Sequence, residues 1–242
     1  MLAQWLKNHF RGLWYSLFAL CALPGLALLV LLLAHGLGSN PLEFLMHTTG
    51  RSALVLLTLT LCITPLRLGL TQLSIFTNRR FGKRLSDWNW LIRLRRPLGL
   101  WSFAYAAGHA WIFAHFDLGY DWAAAYSEVV EKPYILVGLC ALLLLLLLAA
   151  TSPHAMVRRL GRWWRRTHRL VYVAAVLALL HFWWLVKPGL WTPWPETLAL
   201  TALLAYRAAL FGGLLERWDG FDGRESTHRG TAAQPQGMAA LA

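Results

Sequence analysis

Charge is scarce in this chain. Asp, Glu, Lys and Arg make up 14% of its 242 residues, where a soluble domain carries about 25%. Acidic residues are scarcer still, 11 against 23 Lys plus Arg. The net charge of +12 would suit a nucleic-acid partner only if the basic residues lined a soluble face. They fall instead in short clusters between long apolar runs, as membrane proteins distribute them, so no nucleic-acid partner is implied. Cysteine is limited to Cys21, Cys62 and Cys140, each inside an apolar run. The absence of a C-x-x-C pair or an even, loop-borne set excludes a disulfide framework and a thiolate metal site. No G-x-G-x-x-G or P-loop occurs, which excludes a recognisable nucleotide-binding module. No internal repeat and no second domain are evident.

What remains is 57% hydrophobic, with a mean hydropathy of +0.47. A span needs about 20 apolar residues to cross a hydrocarbon core of about 30 Å. Six segments answer to that length or approach it: 13–34, 52–66, 98–116, 134–150, 170–186 and 197–213. The second is short, and Met46 to Thr49 extend it. The first reads as a retained anchor, too long for a signal-peptide core and without a small-x-small cleavage site. The leucine run 142–148 is expected to face lipid or to pack. Helices are the expected element, because open backbone cannot be left unsatisfied in lipid. The expected fold is an all-α, six-helix transmembrane bundle.

The loops orient it. Between the second and third segments lie Arg67, Arg79, Arg80, Lys83, Arg84, Arg93, Arg95 and Arg96; between the fourth and fifth lie Arg158, Arg159, Arg162, Arg165, Arg166 and Arg169. The alternate loops hold only Arg51, Lys132 and Lys187, beside Asp117, Asp121, Glu128 and Glu131. Fourteen basic residues against three place the basic loops, and both termini, in the cytoplasm. Trp88, Trp90, Trp101, Trp163 and Trp164 are expected to form one interfacial belt, and Trp183, Trp184, Trp191 and Trp194 the other. The expected organisation is a cytoplasmic N-terminus over 1–12, a membrane domain over 13–213 and a polar, disordered cytoplasmic tail over 214–242.

Nine histidines are present. His9, His154 and His228 fall in terminal or loop segments, and His35, His47 and His115 near the outer interface. His109 and His181 sit deeper, each inside an apolar segment. An ionisable side chain inside a membrane is a functional hypothesis by default. The alternative is a neutral imidazole bonded to a backbone carbonyl of a neighbouring helix. His109 lies 11 residues beyond Leu98, and His181 lies 11 beyond Leu170, so the two are expected at one depth. Facing imidazoles suit bis-histidine ligation of a haem iron between apolar walls. Zinc would want further ligands, and no acidic residue lies at that depth. Gly108 would allow a porphyrin or a neighbouring helix to approach closely, or serve as an ordinary packing residue. His168 is a third candidate, 13 residues before His181, or about 20 Å along a helix and roughly 140° around its axis. Arg51, at the outer end of the second segment, is a candidate propionate contact or a snorkelling side chain.

Several motifs resemble a known family. They are Thr151-Ser152-Pro153-His154-Ala155-Met156, Arg158-Arg159-Leu160-Gly161, Trp164, His168-Arg169-Leu170-Val171-Tyr172 and His181-Phe182-Trp183-Trp184-Leu185-Val186-Lys187. With Asn40-Pro41, His47-Thr48-Thr49-Gly50-Arg51, Ile63-Thr64-Pro65-Leu66 and Arg96-Pro97-Leu98-Gly99-Leu100, the pattern resembles the MsrQ (YedZ) family, within the ferric-reductase-like superfamily. The resemblance covers residues 13 to 210. It implies a b-type cytochrome of the bacterial inner membrane, an electron-transfer subunit that is not itself the catalytic one. Its implied partner is a periplasmic molybdoenzyme, MsrP, that reduces methionine sulfoxide in proteins. It further implies haem b (one or two) at His109, His181 and His168, FMN, and a quinone or a cytosolic flavin reductase as donor. One departure is Phe18, near which some relatives carry a histidine; its absence removes one partner for His168. The remaining alternatives are a ferric-reductase-like haem oxidoreductase with another acceptor, and a proton or substrate transporter using the intramembrane histidines.

Overall fold

The computed structural model describes residues 9–34, 36, 38–78, 81–186 and 192–211. Residues 1–8, Arg79, Arg80, Lys187 and the expected tail 214–242 lie outside the described residues. Among the described residues every regular element is helical: α1 Phe10–Leu33, α2 Pro41–Phe76, a 3-10 turn Leu85–Trp88, α3 Asn89–Ile92, α4 Arg95–Ile112, a π-helical turn Phe113–Asp117, α5 Trp122–Glu131, α6 Pro133–Ala150, α7 His154–Leu160, α8 Arg162–Thr167, α9 Leu170–Leu185 and α10 Trp194–Phe211. The chain divides into two compact units between Leu203 and Leu204, and the site described below lies in the first.

Among the described residues four stretches are long and apolar enough to cross a membrane: α1, α2, α6 and Arg162–Leu185, which joins α8 to α9. The third and sixth expected segments form 18-residue helices, α4 and α10. Arg95 and Arg96 in α4, and Glu196 and Arg207 in α10, lower their hydropathy. α2 extends well past its apolar part. Its 36 residues measure about 54 Å, more than a hydrocarbon core. Asn40 caps its N-terminus, accepting from the Glu43 amide, with Pro41 at the first helical position. Arg67, expected in a loop, stays within α2 and donates from Nε and Nη2 to the Leu85 carbonyl at 3.1 and 2.9 Å. Hydroxyls inside α2 are satisfied locally: Thr58, Thr60 and Thr71 each bond the carbonyl four residues back. Such back-bonding lets a polar side chain stay in an apolar helix without an unmet donor.

α2 packs chiefly against α4, and α6 against α9, with α4 and α6 also in contact. Both main pairs are antiparallel. Ser102 donates to the Ala53 carbonyl at 2.8 Å, and Arg95 reaches Thr64. Ala174 and Ala175 of α9 are fully buried, the small-residue contact that lets membrane helices approach closely. In the leucine run, Leu145 and Leu148 are buried while Leu143, Leu146 and Leu147 are exposed, so the run both packs and faces outward.

Trp88 and Trp90 are covered by protein. Both are buried in a cluster with Cys21, Leu56, Leu94 and Tyr105, and Trp88 Nε1 donates to the Gly82 carbonyl at 2.9 Å. The segment after α2 folds back over the helix ends and covers them. Trp163 and Trp184 are exposed.

Pro24 lies inside the continuous helix α1, where it has no amide hydrogen to donate and leaves one rung of the ladder unmade. Tyr105 of α4 reaches the next turn: its hydroxyl donates to the Cys21 carbonyl and accepts from the Gly25 amide, both at 2.8 Å. One side chain thus ties the weak point of α1 to α4. Tyr105→Phe should cost about 1–3 kcal/mol, read as a lower unfolding temperature in detergent.

Candidate functional site

The two antiparallel pairs place one histidine each at a common level. His109, in the last turn of α4, approaches α2, where its Nδ1 lies 2.9 Å from the Met46 carbonyl. His181 of α9 approaches α6, where its Nδ1 lies 2.7 Å from the Tyr134 carbonyl. A carbonyl can only accept, so Nδ1 carries the hydrogen in both rings and Nε2 keeps its lone pair. Thr49 Oγ1 stands 3.5 Å from His109 Nδ1, and its own hydrogen is directed to the Leu45 carbonyl at 2.7 Å.

The two imidazoles meet. Their centroids are 6.2 Å apart and their planes 85° apart. Two metal–nitrogen bonds of about 2 Å, plus half a ring on each side, span roughly 6 Å. The pair therefore fits two axial ligands of one haem iron. A bonded Nδ1–H is also the usual outer partner of a metal-ligating histidine, fixing tautomer and ring orientation. Among the described residues no group of three or more His, Cys, Asp or Glu side chains comes together to hold a bare metal ion.

His168 is placed elsewhere. It ends α8, and the helix is broken there: Arg169 and Val171 bond carbonyls three residues back, not four. The Trp164 ring packs on its imidazole at 4.1 Å between centroids, and His168 Nδ1 lies 3.2 Å from the Trp164 carbonyl. The straight-helix angle between His168 and His181 therefore does not apply. Among the described residues no second histidine ring packs against His168. Phe18, near which some relatives carry a histidine, packs on Trp101 and Trp14 at 5.1 and 5.4 Å.

Arg51 lies one residue beyond Gly50 on α2. Its Nε donates to Glu196 Oε1 at 2.6 Å, linking α2 to the first turn of α10. Glu196 is buried, and sequence reading did not single it out. A carboxylate near a helix N-terminus is favoured by the macrodipole, a signal readable in Trp194-Pro195-Glu196. Gly108 meets nothing within 4 Å of where a Cβ would sit, whereas Gly50 faces His109 and Gly138 faces His181. The glycines that matter to the histidines lie on the helices opposite them.

Comparison with known proteins places this arrangement. A family model described as ferric reductase like transmembrane component matches residues 49–179. The protein-methionine-sulfoxide reductase heme-binding subunit MsrQ of Ralstonia nicotianae is 44% identical over 175 residues, 72% of this chain and 73% of the relative. The chain belongs to the MsrQ family. The MsrQ of Herminiimonas arsenicoxydans is 45% identical over 170 residues, 70% and 71% of the two chains. That of Xanthomonas campestris pv. campestris strain B100 is 39% identical over 202 residues, 84% and 81%. As an MsrQ family member the chain is a multi-pass membrane protein. The family-model match contains Gly50, His109, Gly138 and His168, and His181 lies two residues beyond its end.

Proposed function

We propose that this MsrQ family member is a b-type cytochrome subunit of the bacterial inner membrane. It transfers electrons across the bilayer to a periplasmic MsrP-type molybdoenzyme that reduces methionine sulfoxide in proteins. The observation that carries the reading is the His109–His181 pair, 6.2 Å between ring centroids, each ring fixed through Nδ1 to a backbone carbonyl. The description of its relatives as heme-binding subunits supports the cofactor.

In this reading His109 and His181 hold one haem b, and His168 is the less favoured ligand, serving a second. A bound haem iron supplies a reversible one-electron couple. The chain's own part is to fix both imidazoles as Nε2 donors and to surround them with apolar helices. Arg51, oriented by Glu196, is the proposed contact for a propionate. Six spans put both termini and the arginine-rich segments in the cytoplasm. There Arg158, Arg159, Arg162, Arg165 and Arg166 would meet the anionic phosphate of FMN or of a donor's flavin. The donor is the quinone pool or a cytosolic flavin reductase; FMN itself is carried over from the family resemblance. The catalytic subunit is the partner, not this chain.

The test is an absorption spectrum of the purified full-length protein, then addition of flavin reductase with FMN and a reduced nicotinamide dinucleotide, or of a quinol. The expected result is a Soret band that shifts on reduction and shifts back when an oxidised MsrP-type partner with methionine sulfoxide is added. A preparation with no Soret band sinks the reading. The ferric-reductase-like match favours one second reading, a haem oxidoreductase with another acceptor. A band that ferric chelates reoxidise and the molybdoenzyme does not would select it.

A further inference from the structure

Each histidine meets its neighbouring helix in the same way. His109 Nδ1 bonds the carbonyl of Met46, and four residues on is Gly50; His181 Nδ1 bonds the carbonyl of Tyr134, and four residues on is Gly138. The spacing has a physical meaning. Within an α-helix the carbonyl of residue i already accepts from the amide of i+4, leaving a second lone pair. The Cβ of residue i+4 tilts toward the N-terminus and overhangs that carbonyl. A ring can reach the second lone pair only where that Cβ leaves room. A Cβ built on Gly138 would lie 2.7 Å from both Nδ1 and Cε1 of His181; one on Gly50 would lie 3.2 Å from Nδ1 and 3.3 Å from Cε1 of His109. Neither obstacle is a flexible tip, since each is an imidazole already held at its carbonyl.

We infer that Gly50 and Gly138 are positioning residues for the two axial histidines, each opening the helix face on which an imidazole is seated and its tautomer fixed. The inference rests on the haem reading above for its redox consequence, although the seating itself does not need the haem. Helix propensity does not account for these glycines, because Ala is the better helix former at both positions. Displacing a ring from its carbonyl removes the bond that makes Nε2 a stronger donor. A weaker donor favours the reduced iron and raises the reduction potential.

The experiment uses the full-length protein with Gly138→Ala, Gly50→Ala and, as a control on the same helix as Gly50 but away from the pair, Gly69→Ala, whose Cβ would meet nothing. Haem retention and midpoint potential are measured on samples of normal helicity. Gly138→Ala should lower retention by about tenfold, the lower end of what an outer partner contributes, and raise the potential. Gly50→Ala should act in the same direction by less, and Gly69→Ala should match the wild type. A folded Gly138→Ala protein with wild-type retention and potential overturns the inference, as does an equal loss in Gly69→Ala. The second readout is nitrogen NMR of histidine-labelled, haem-free wild-type protein, in which His181 should be the Nδ1–H tautomer. An Nε2–H tautomer there overturns the seating even if Gly138→Ala does not fold. A protein that binds no haem yet shows the Nδ1–H tautomer would instead count against the cytochrome reading alone.

Discussion

Replacing either His109 or His181 by alanine is expected to remove the Soret contribution of the haem that the pair holds, with retention of that haem falling by well over tenfold. The scale follows from what lies behind the ligands. Loss of an outer partner alone costs about 10–100-fold in metal affinity, and loss of the ligating atom must cost more. The protein itself should survive. Neither ring is a fully buried core side chain, and the Met46 and Tyr134 carbonyls keep their helical partners when the ring is gone. Normal helicity without the pair's haem is therefore the expected phenotype of both variants. His168→Ala should leave the band of the haem held by His109 and His181, because the His168 ring packs on Trp164 and not on the pair; any loss it causes is confined to a second haem. Pigment content and helicity, measured on all three purified proteins, check this. If the full band survives in His109→Ala or in His181→Ala, the pair is not the ligand set.

The second large effect is on stability and is asymmetric. The Arg51 side chain is 31% exposed and that of Glu196 only 7%, and Glu196 Oε2 is buried without a hydrogen-bond partner. Removing the cation strands a buried carboxylate, whereas neutralising the acid leaves a guanidinium that can reach water. Breaking a buried pair by deleting one partner costs about 3–5 kcal/mol. Partial exposure of Arg51 puts Arg51→Ala near the lower end, about 3 kcal/mol. Glu196→Gln should cost clearly less, on the order of 1 kcal/mol, as one charge-assisted hydrogen bond becomes a neutral one. The double variant Arg51→Met/Glu196→Met should recover much of the loss, since apolar replacement of a buried pair is often neutral. Unfolding temperatures in one detergent, analysed as a double-mutant cycle, report all three. Equal losses in the two single variants would mean that the pair behaves as an exposed surface bridge.

Hydropathy and charge located the elements well where a helix and its apolar run coincide. The expected segments 134–150 and 170–186 differ by one residue at one end from α6 and α9. They failed where helix and apolar run part company. α2 continues through Arg67 to Phe76 because its backbone needs no apolar side chains to keep its ladder, yet its start was readable in Asn40-Pro41. The short helix α5 falls between two apolar segments and reads as loop in the sequence. Its signal was Asp121, whose carboxylate accepts from the Ala123 and Ala124 amides, but ten residues are too few to register as a span. Trp88 and Trp90 read as belt because a tryptophan at a membrane border carries no mark of whether protein will cover it.

At the site, equal offsets in two apolar runs were enough to bring His109 and His181 together. Their hydrogen-bond partners were not legible, because they are carbonyls and every residue has one. Glu196 was hidden for another reason: it meets Arg51 across 145 residues of sequence.

That both acceptors are backbone atoms bears on how this site can change over time. No single substitution at Met46 or Tyr134 deletes a carbonyl, so those positions are free to drift in side-chain identity while the histidines stay anchored. Register is the exposed quantity. Inserting or deleting one residue in α2 between Met46 and the Ala53 carbonyl that holds Ser102 would turn the upstream helix by about 100°. The carbonyl and its glycine would then swing away from His109 together. Lineages of this fold should tolerate exchange of residues along these helices far better than changes in their length.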